Sequence, residues 1–307
     1  MFNFAAKRHW FLIAAVVVII LGIVSAAIPG GLKTGIDFKP ATKVELGPRE
    51  EETLDIEVVK GLLIELDYDQ AAGRIQVSED HFIFYLPEMD EAGRNDLETR
   101  LNEIGQVVEL DFSSASVASN TVRNAAIATA VAIVAMLLYI TWAFRKVPNS
   151  VRYGTAAIVA LIFNLVVTVG VYAVFGRTMG WEVDPMFIVA LLAIIGYSVN
   201  DSIVVLDRIR ENKARGIGGD YDGMVNLSIS ETLVRSLNTS ITTVLAILAV
   251  YLIVGGPIRS FLMALFVGIV AGAYSSIFVA GQLLVMWEHG DWIKVIPGVS
   301  RLQKKKV

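Results

Sequence analysis

The chain has 307 residues, of which 55% are hydrophobic and 18% charged, and a mean hydropathy of +0.61. That is more apolar and less charged than a soluble globular domain. The net charge of −4 averages two materials, because residues 30–120 carry a net −12 and the remainder a net +8. An ordinary soluble enzyme is therefore excluded, and the absence of cysteine excludes disulfides, thiolate metal sites and a cysteine nucleophile.

Six apolar segments are long enough to cross a hydrocarbon core of about 30 Å at about 1.5 Å per residue. They are Phe11–Ile28, Asn124–Phe144, Gly154–Phe175, Met186–Leu206, Ser236–Val254 and Ile258–Trp287. None shows the alternation of a barrel strand, so each is expected to be a helix that satisfies its backbone internally. The fourth is expected to continue past the membrane into Asp207–Lys213. Lys7 and Arg8 before the first run, and Ser25-Ala26-Ala27 near its end, also fit a cleaved signal peptide. The length of the run and the five spans after it favour an uncleaved anchor.

Lysine and arginine set the orientation. Lys7, Arg8, Arg145, Lys146, Arg152, Arg208, Arg210, Lys213, Arg215, Lys294, Arg301 and Lys304–Lys306 fall on one side, against Arg177 and Arg259 on the other. Both termini are thus expected in the cytoplasm and the large first loop in the periplasm or outside the cell. The implied layout is a first helix within 1–30, an outer domain over 31–119, a membrane domain over 120–290 and a basic tail over 291–307.

The outer segment predicts a strand at Thr42–Leu46 and a helix near Glu50–Leu66 carrying Leu54, Val58 and Leu62 at four-residue spacing. Strands at Arg74–Val77 and His81–Leu86, a helix near Asp90–Ile104 and a strand at Gln106–Phe112 follow. The order βαββαβ is a ferredoxin-like signature. The predicted fold is an α-helical polytopic membrane protein with six transmembrane helices and an α+β periplasmic domain. The acidic surface of that domain reads as a solvated face, with binding of unfolded chains as the sharper alternative, and it shows no catalytic constellation.

The chemistry lies in the membrane. Asp201, in Ile195-Gly-Tyr-Ser-Val-Asn-Asp-Ser-Ile-Val-Val205, sits about five residues, roughly 8 Å, inside the end of the fourth span. A short aspartate cannot snorkel that far, and an intramembrane carboxylate points to a proton or ion relay. Burial favours the neutral form of a carboxyl and a nearby cation its charged form, so movement between such environments would load and release a proton. The fifth span begins at Arg235, followed by Asn238, Thr239 and Thr242, a polar stripe that would face Asp201 at a suitable helix rotation. Asn200 adjoins Asp201, and Asn164 with Thr168 adds a further stripe on the third span. The plainer readings are an interfacial anchor for Arg235 and helix-to-helix bonds for the threonines.

Other features carry less. Gly216-Ile-Gly-Gly-Asp220 lacks the ending of a P-loop and reads as a turn. Gly268 and Gly272 favour close helix approach. His9, His81 and His289 form no ligand-spaced metal motif. No metal or organic cofactor is expected, only protons as the coupling ion, and no nucleic-acid partner.

The run Ala190–Asn212 resembles the fourth-helix signature of the SecF family of preprotein-export subunits. Gly35-Ile-Asp-Phe38, Thr232-Leu-Val-Arg-Ser-Leu-Asn-Thr-Ser240 and Ala273-Tyr-Ser-Ser-Ile-Phe278 support the resemblance. It implies membership of the resistance-nodulation-division superfamily and a location in the bacterial inner membrane. It also implies work with SecD beside the SecYEG channel on an unfolded preprotein, driven by the proton-motive force. By matching motifs, Asp201 is the implied relay carboxylate and Arg235 its cationic partner. Asn200, Asn238, Thr239, Thr242 and Asn164 are candidates for lining the path. Lys39-Pro40-Ala41 and Ser113-Ser114-Ala115 depart from the family pattern at the base of the outer domain. The alternatives are a half-size proton-driven exporter of lipid or drug, and a non-transport scaffold for export components.

Overall fold

The computed structural model describes residues 3–49, 54–73, 75–78, 81–145, 150–254 and 258–290. Glu50, Arg74, Lys146 and residues 255–257 and 291–307, on which some of these expectations fall, lie outside the described residues. The elements begin with α1 (Arg8–Ala27), β1 (Lys33–Thr34), β2 (Ala41–Gly47), α2 (Ile56–Glu65), α3 (Asp69–Ala72), β3 (Gln76–Ser78) and β4 (His81–Leu86). They continue with α4 (Glu91–Ile104), β5 (Gln106–Ser113), α5 (Ala115–Ala143), α6 (Ser150–Thr178), β6 (Glu182–Val183) and α7 (Pro185–Arg215). Last come α8 (Tyr221–Ile253), α9 (Ile258–Ser275), a π turn over Ser276–Ala280 and α10 (Gly281–His289).

Among the described residues six helices are long and apolar enough to span a bilayer: Ala5–Ala27, Ala115–Ala143, Val151–Thr178, Pro185–Arg215, Tyr221–Ile253 and Ile258–His289. Two begin well before the apolar run predicted for them. α8 starts at Tyr221 because the Asp220 side chain accepts from the Gly223 amide at 2.9 Å and caps it. The turn before it holds Gly216, Gly218 and Gly219 at φ of 65°, 110° and 76°, which L residues rarely adopt. The glycine-rich segment is thus a turn that launches a helix. α5 opens at Ala115, where the backbone amide donates to Glu88 at 3.3 Å.

The chain divides into two compact units. The first comprises residues 1–32, 128–181 and 186–307. Its core joins Ile140, Tyr153, Ala157, Ala160, Ile195, Val199, Leu206, Ile229 and Leu284. α1 lies against α6 at a glycine pair, where a Cβ on Gly170 would fall on the Gly22 backbone. Across that seam Ser25 Oγ donates to the Gly170 carbonyl at 3.0 Å. Arg177 closes the end of α1, donating to Ser25 O at 2.8 Å and Ser25 Oγ at 2.7 Å. Gly268 and Gly272 serve contact inside the chain, since a Cβ on Gly268 would strike Ile194 of α7.

The second unit comprises residues 33–127 and 182–185. Its sheet runs β3-β4-β2-β5, with every neighbouring pair antiparallel. That is the order a split βαβ arrangement gives. Val44, Leu46, Phe84 and Leu86 alternate inward from β2 and β4 to meet Val59, Leu63, Leu97 and Leu101 of α2 and α4. The predicted apolar face of α2 is displaced. Val59 and Leu63 are fully buried while Val58 is 49% exposed, because α2 packs on the sheet through the face that carries Val59 and Leu63. α3 was not foreseen.

The two-residue strands β1 and β6 pair in parallel, Lys33 with Glu182 and Thr34 with Val183, and the Gly35 amide donates to Val183 O at 2.8 Å. Tyr85 Oη donates to Glu182 at 2.6 Å, and Lys39 of the divergent segment lies 4.7 Å over the Tyr85 ring. Burial raises the Glu182 carboxyl above its ordinary 4.5, outweighing the lowering by Tyr85, Lys39, Lys33 and Lys43. Burial likewise raises the Tyr85 phenol. A carboxyl raised in the folded state adds stability that is full below about pH 4.5 and is lost as pH rises through the folded value. Wild type should therefore lose stability relative to Glu182→Gln as the pH rises from 4.5, read by thermal unfolding across pH. Parallel pH curves would contradict this.

Candidate functional site

Asp201 lies on the buried side of α7, 8% exposed, on a face that also carries Ser198, Ser202, Val205 and Ile209. Around it the helices contribute hydroxyls and amides in place of the usual apolar filling. Ser236 of α8 and Ser276, the first residue of the π turn, lie beside its carboxylate, and the charge of Arg235 acts on it. Ser202 and Ser276 share a hydrogen bond of 2.9 Å. One layer further along α7, Asn164 Nδ2 of α6 donates to Ser198 Oγ, and Thr168 Oγ1 donates to the Asn164 carbonyl at 2.8 Å. Tyr197 Oη reaches Ser240 Oγ at 3.4 Å.

The pocket is incompletely satisfied. Asp201 Oδ2 and Asn164 Oδ1 are buried and find no hydrogen-bond partner among the described residues. A buried polar atom without a partner is costly, and such atoms in native proteins mark bound water or functional groups. The π turn that brings in Ser276 is of the kind that recurs at functional positions in helices.

The structure separates the predicted site residues into two sets. Asp201 and Asn164 are inside the bundle. Asn200, Arg235, Asn238, Thr239 and Thr242 lie on faces exposed in this chain. The Arg235 stripe does not face Asp201 directly. At about 100° per residue, Thr232, Ser236 and Ser240 form the buried face of α8, and the stripe lies about a quarter turn round the helix from it. Thr239 and Thr242 turn their hydroxyls back onto the Arg235 and Asn238 carbonyls, at 2.5 and 2.9 Å. Among the described residues Asp201 and Arg235 form no ion pair within 4 Å, so Arg235 acts through space. Sequence reasoning missed Ser198, Ser202, Ser236, Ser240 and Ser276. Its signal for α8 was present, because Thr232, Ser236 and Ser240 recur every four residues, but the stripe beginning at Arg235 has much the same spacing.

A second polar cluster occupies the other end of α7. Asn212 Nδ2 donates to Ser228 Oγ at 3.0 Å and to Glu231 at 2.8 Å. Arg208 Nε meets Glu231 at 2.7 Å and its Nη1 meets Glu211 at 2.6 Å. Asn212 is 1% exposed and its Oδ1 has no partner among the described residues.

Proteins similar to this chain carry the names of export components. Residues 96–290 match the family described as protein export membrane protein SecD/SecF, C-terminal. The chain is 38% identical to the protein translocase subunit SecF of Thermobaculum terrenum, over 96% of both chains. It is 35% identical to that of Anaerolinea thermophila, over 95% of this chain and 96% of the other. The crystal structure of SecDF, a translocon-associated membrane protein from Thermus thermophilus, superposes with a TM-score of 0.81 at 32% identity. It covers 94% of this chain, which spans 39% of that longer one. With most of its length matched by sequence and by structure, the chain belongs to the SecF family of protein translocase subunits.

Proposed function

We propose that the chain works with SecD beside the SecYEG channel and uses the proton-motive force to promote export of unfolded preproteins. The observation that carries this reading is Asp201, a carboxylate buried within a membrane-spanning helix whose Oδ2 is left without a partner by the chain's own described residues. A group in that position is suited to accept and give up a proton.

The proton is the coupling ion, and no metal or organic cofactor takes part. Orientation follows the basic residues, with both termini in the cytoplasm and the first loop, with its α+β fold, in the periplasm or outside the cell. SecD is the partner in the membrane. The relative in Thermus thermophilus carries the name SecDF, and this chain spans 39% of it. The face of α8 bearing Arg235, Asn238, Thr239 and Thr242, with Asn200 of α7, is exposed in this chain. In the complex it meets SecD and completes the path, and lipid covers the remaining apolar surface. Proton loading at Asp201 favours one arrangement of the helices and release another, and the outer domains follow, holding the emerging chain against backsliding.

The test is translocation into vesicles containing SecYEG and SecD, with and without this chain, under an imposed proton-motive force. The proposal expects a force-dependent gain in completed translocation only when the chain is present. Equal export in both preparations would overturn it.

A further inference from the structure

The buried face of α8 carries hydroxyls at a strict four-residue interval, Ser228, Thr232, Ser236 and Ser240, all at most 7% exposed. Their neighbours fix the register against the antiparallel helix α7. Ser240 meets Tyr197, Ser236 lies beside Asp201, and Ser228 meets Asn212. Ser228 and Thr232 are tied to the backbone, through Met224 O at 2.8 Å and Ser228 O at 2.9 Å. Ser236 differs, because no backbone bond holds its hydroxyl and it lies beside the Asp201 carboxylate, whose Oδ2 has no partner among the described residues. At the far end Asn212 Oδ1 is likewise buried and unpartnered, while Asn212 Nδ2 binds both Ser228 and Glu231. Unpartnered polar atoms therefore stand at both ends of the ladder, where polar, enclosed sites hold water.

We propose that Ser236, Thr232 and Ser228 form a proton path internal to this chain, running from Asp201 to Glu231. It rests on the proton-relay reading of Asp201 and assigns the route by which that proton leaves. Rungs four residues apart rise about 6 Å, farther than the roughly 4.5 Å that one bent water bridge spans, so a pair of waters links each hydroxyl to the next along the face. Asp201 gives its carboxyl proton to the Ser236 hydroxyl, which passes its own proton on to the next water. Thr232 and Ser228 turn from their backbone acceptors to repeat the exchange, and a water held at Asn212 Oδ1 delivers a proton to Glu231. One proton enters and one leaves. Each hydroxyl ends neutral, Asp201 ends as the carboxylate in the field of Arg235, and Glu231 ends protonated. The Glu231 side chain is 33% exposed and returns the proton to solvent. Arg208, Glu211 and Arg215 are the charged groups at this end, and Arg208 favours the return of Glu231 to its charged form.

The experiment measures proton uptake with an internal pH-sensitive dye in vesicles containing the full chain with SecD. Ser236→Ala and Thr232→Val, which delete a hydroxyl at nearly constant volume, should each slow uptake by roughly tenfold or more, as loss of a positioned proton carrier does. Ser236→Thr restores the hydroxyl and should stay within about twofold of wild type. Ser230→Ala, one hydroxyl off this face and bonded to Asn226 O, should leave uptake unchanged. If Ser236→Ala fails to assemble, Thr232→Val carries the test. Wild-type uptake by Ser236→Ala and Thr232→Val, with Asp201→Asn inactive, would overturn the ladder and leave the Asp201 relay standing. Loss in Ser236→Thr equal to that in Ser236→Ala would make the role steric and also overturn it. Wild-type uptake by Asp201→Asn would remove the relay and the ladder together.

Discussion

Asp201→Asn is expected to reduce force-driven translocation to the level seen with no proton-motive force, while force-independent translocation persists. The substitution keeps the shape of the side chain and its capacity to bond Ser236 and Ser276, the groups beside it. It removes only the ability to gain and lose a proton. Stability should therefore change by no more than about 1 kcal/mol, and matched assembly separates chemistry from folding. A carboxamide that cannot be charged holds the bundle in one protonation-like state, and a ligand or proton moves an equilibrium only through its different affinity for two states. Measured translocation with and without an imposed force, at equal amounts of assembled protein, checks this outcome. A surviving force-dependent increment would make Asp201 a structural group.

The second large effect is on stability. Gly170→Ala places a Cβ against the backbone of Gly22, with the Gly22 carbonyl oxygen only 2.9 Å away. Backbone cannot rotate aside as a long side chain can, so α1 and α6 must part. The hydrogen bond from Ser25 to the Gly170 carbonyl stretches, and so does the cap that Arg177 places on Ser25. Overpacking typically costs about 1–3 kcal/mol, and this site belongs at the upper end, at about 3 kcal/mol. The contrasting substitution is Gly61→Ala in α2, where a Cβ would meet nothing within 4 Å. There alanine should stabilise the helix by about 0.5–1 kcal/mol. Thermal unfolding of the two variants in one membrane mimetic should thus move in opposite directions.

The membrane spans were legible because each apolar run is long and uninterrupted, and the helices in the structure contain nearly all of every run. Their starts were less legible where polar residues join the same helix. Residues 221–234 lie before the apolar run predicted from Ser236, yet Asp220 caps them into α8. In the second unit the predicted strands at 42–46, 81–86 and 106–112 are present. The parallel pairing of β1 with β6 was not, because two-residue strands some 150 positions apart leave no local periodicity. The α2 face was misplaced by one residue, since Val58 and Val59 are equally apolar and only packing on the sheet decides which turns inward.

Asp201 was legible for an energetic reason, because a carboxylate at that depth demands an explanation. Its surroundings were not. α8 presents two candidate polar faces, one beginning at Arg235 and one at Thr232, about a quarter turn apart, and spacing alone cannot rank them. Packing against α7, where Tyr197, Asp201 and Asn212 meet Ser240, Ser236 and Ser228, buries the hydroxyl face and leaves the cationic stripe outward. Ser276 was invisible for a related reason, because a π turn shifts the register of the helix that contains it and a regular 3.6-residue wheel misplaces every residue beyond it.

The most direct test of the proton relay is infrared difference spectroscopy of the chain assembled with SecD in membranes, recorded between acid and alkaline conditions and compared with Asp201→Asn. The relay predicts a carboxylic acid carbonyl band that disappears as the carboxylate forms, shifts in deuterated water and is missing from the variant. A wild-type spectrum identical to that of Asp201→Asn throughout the titration would show that Asp201 never changes its protonation state, and would contradict the account.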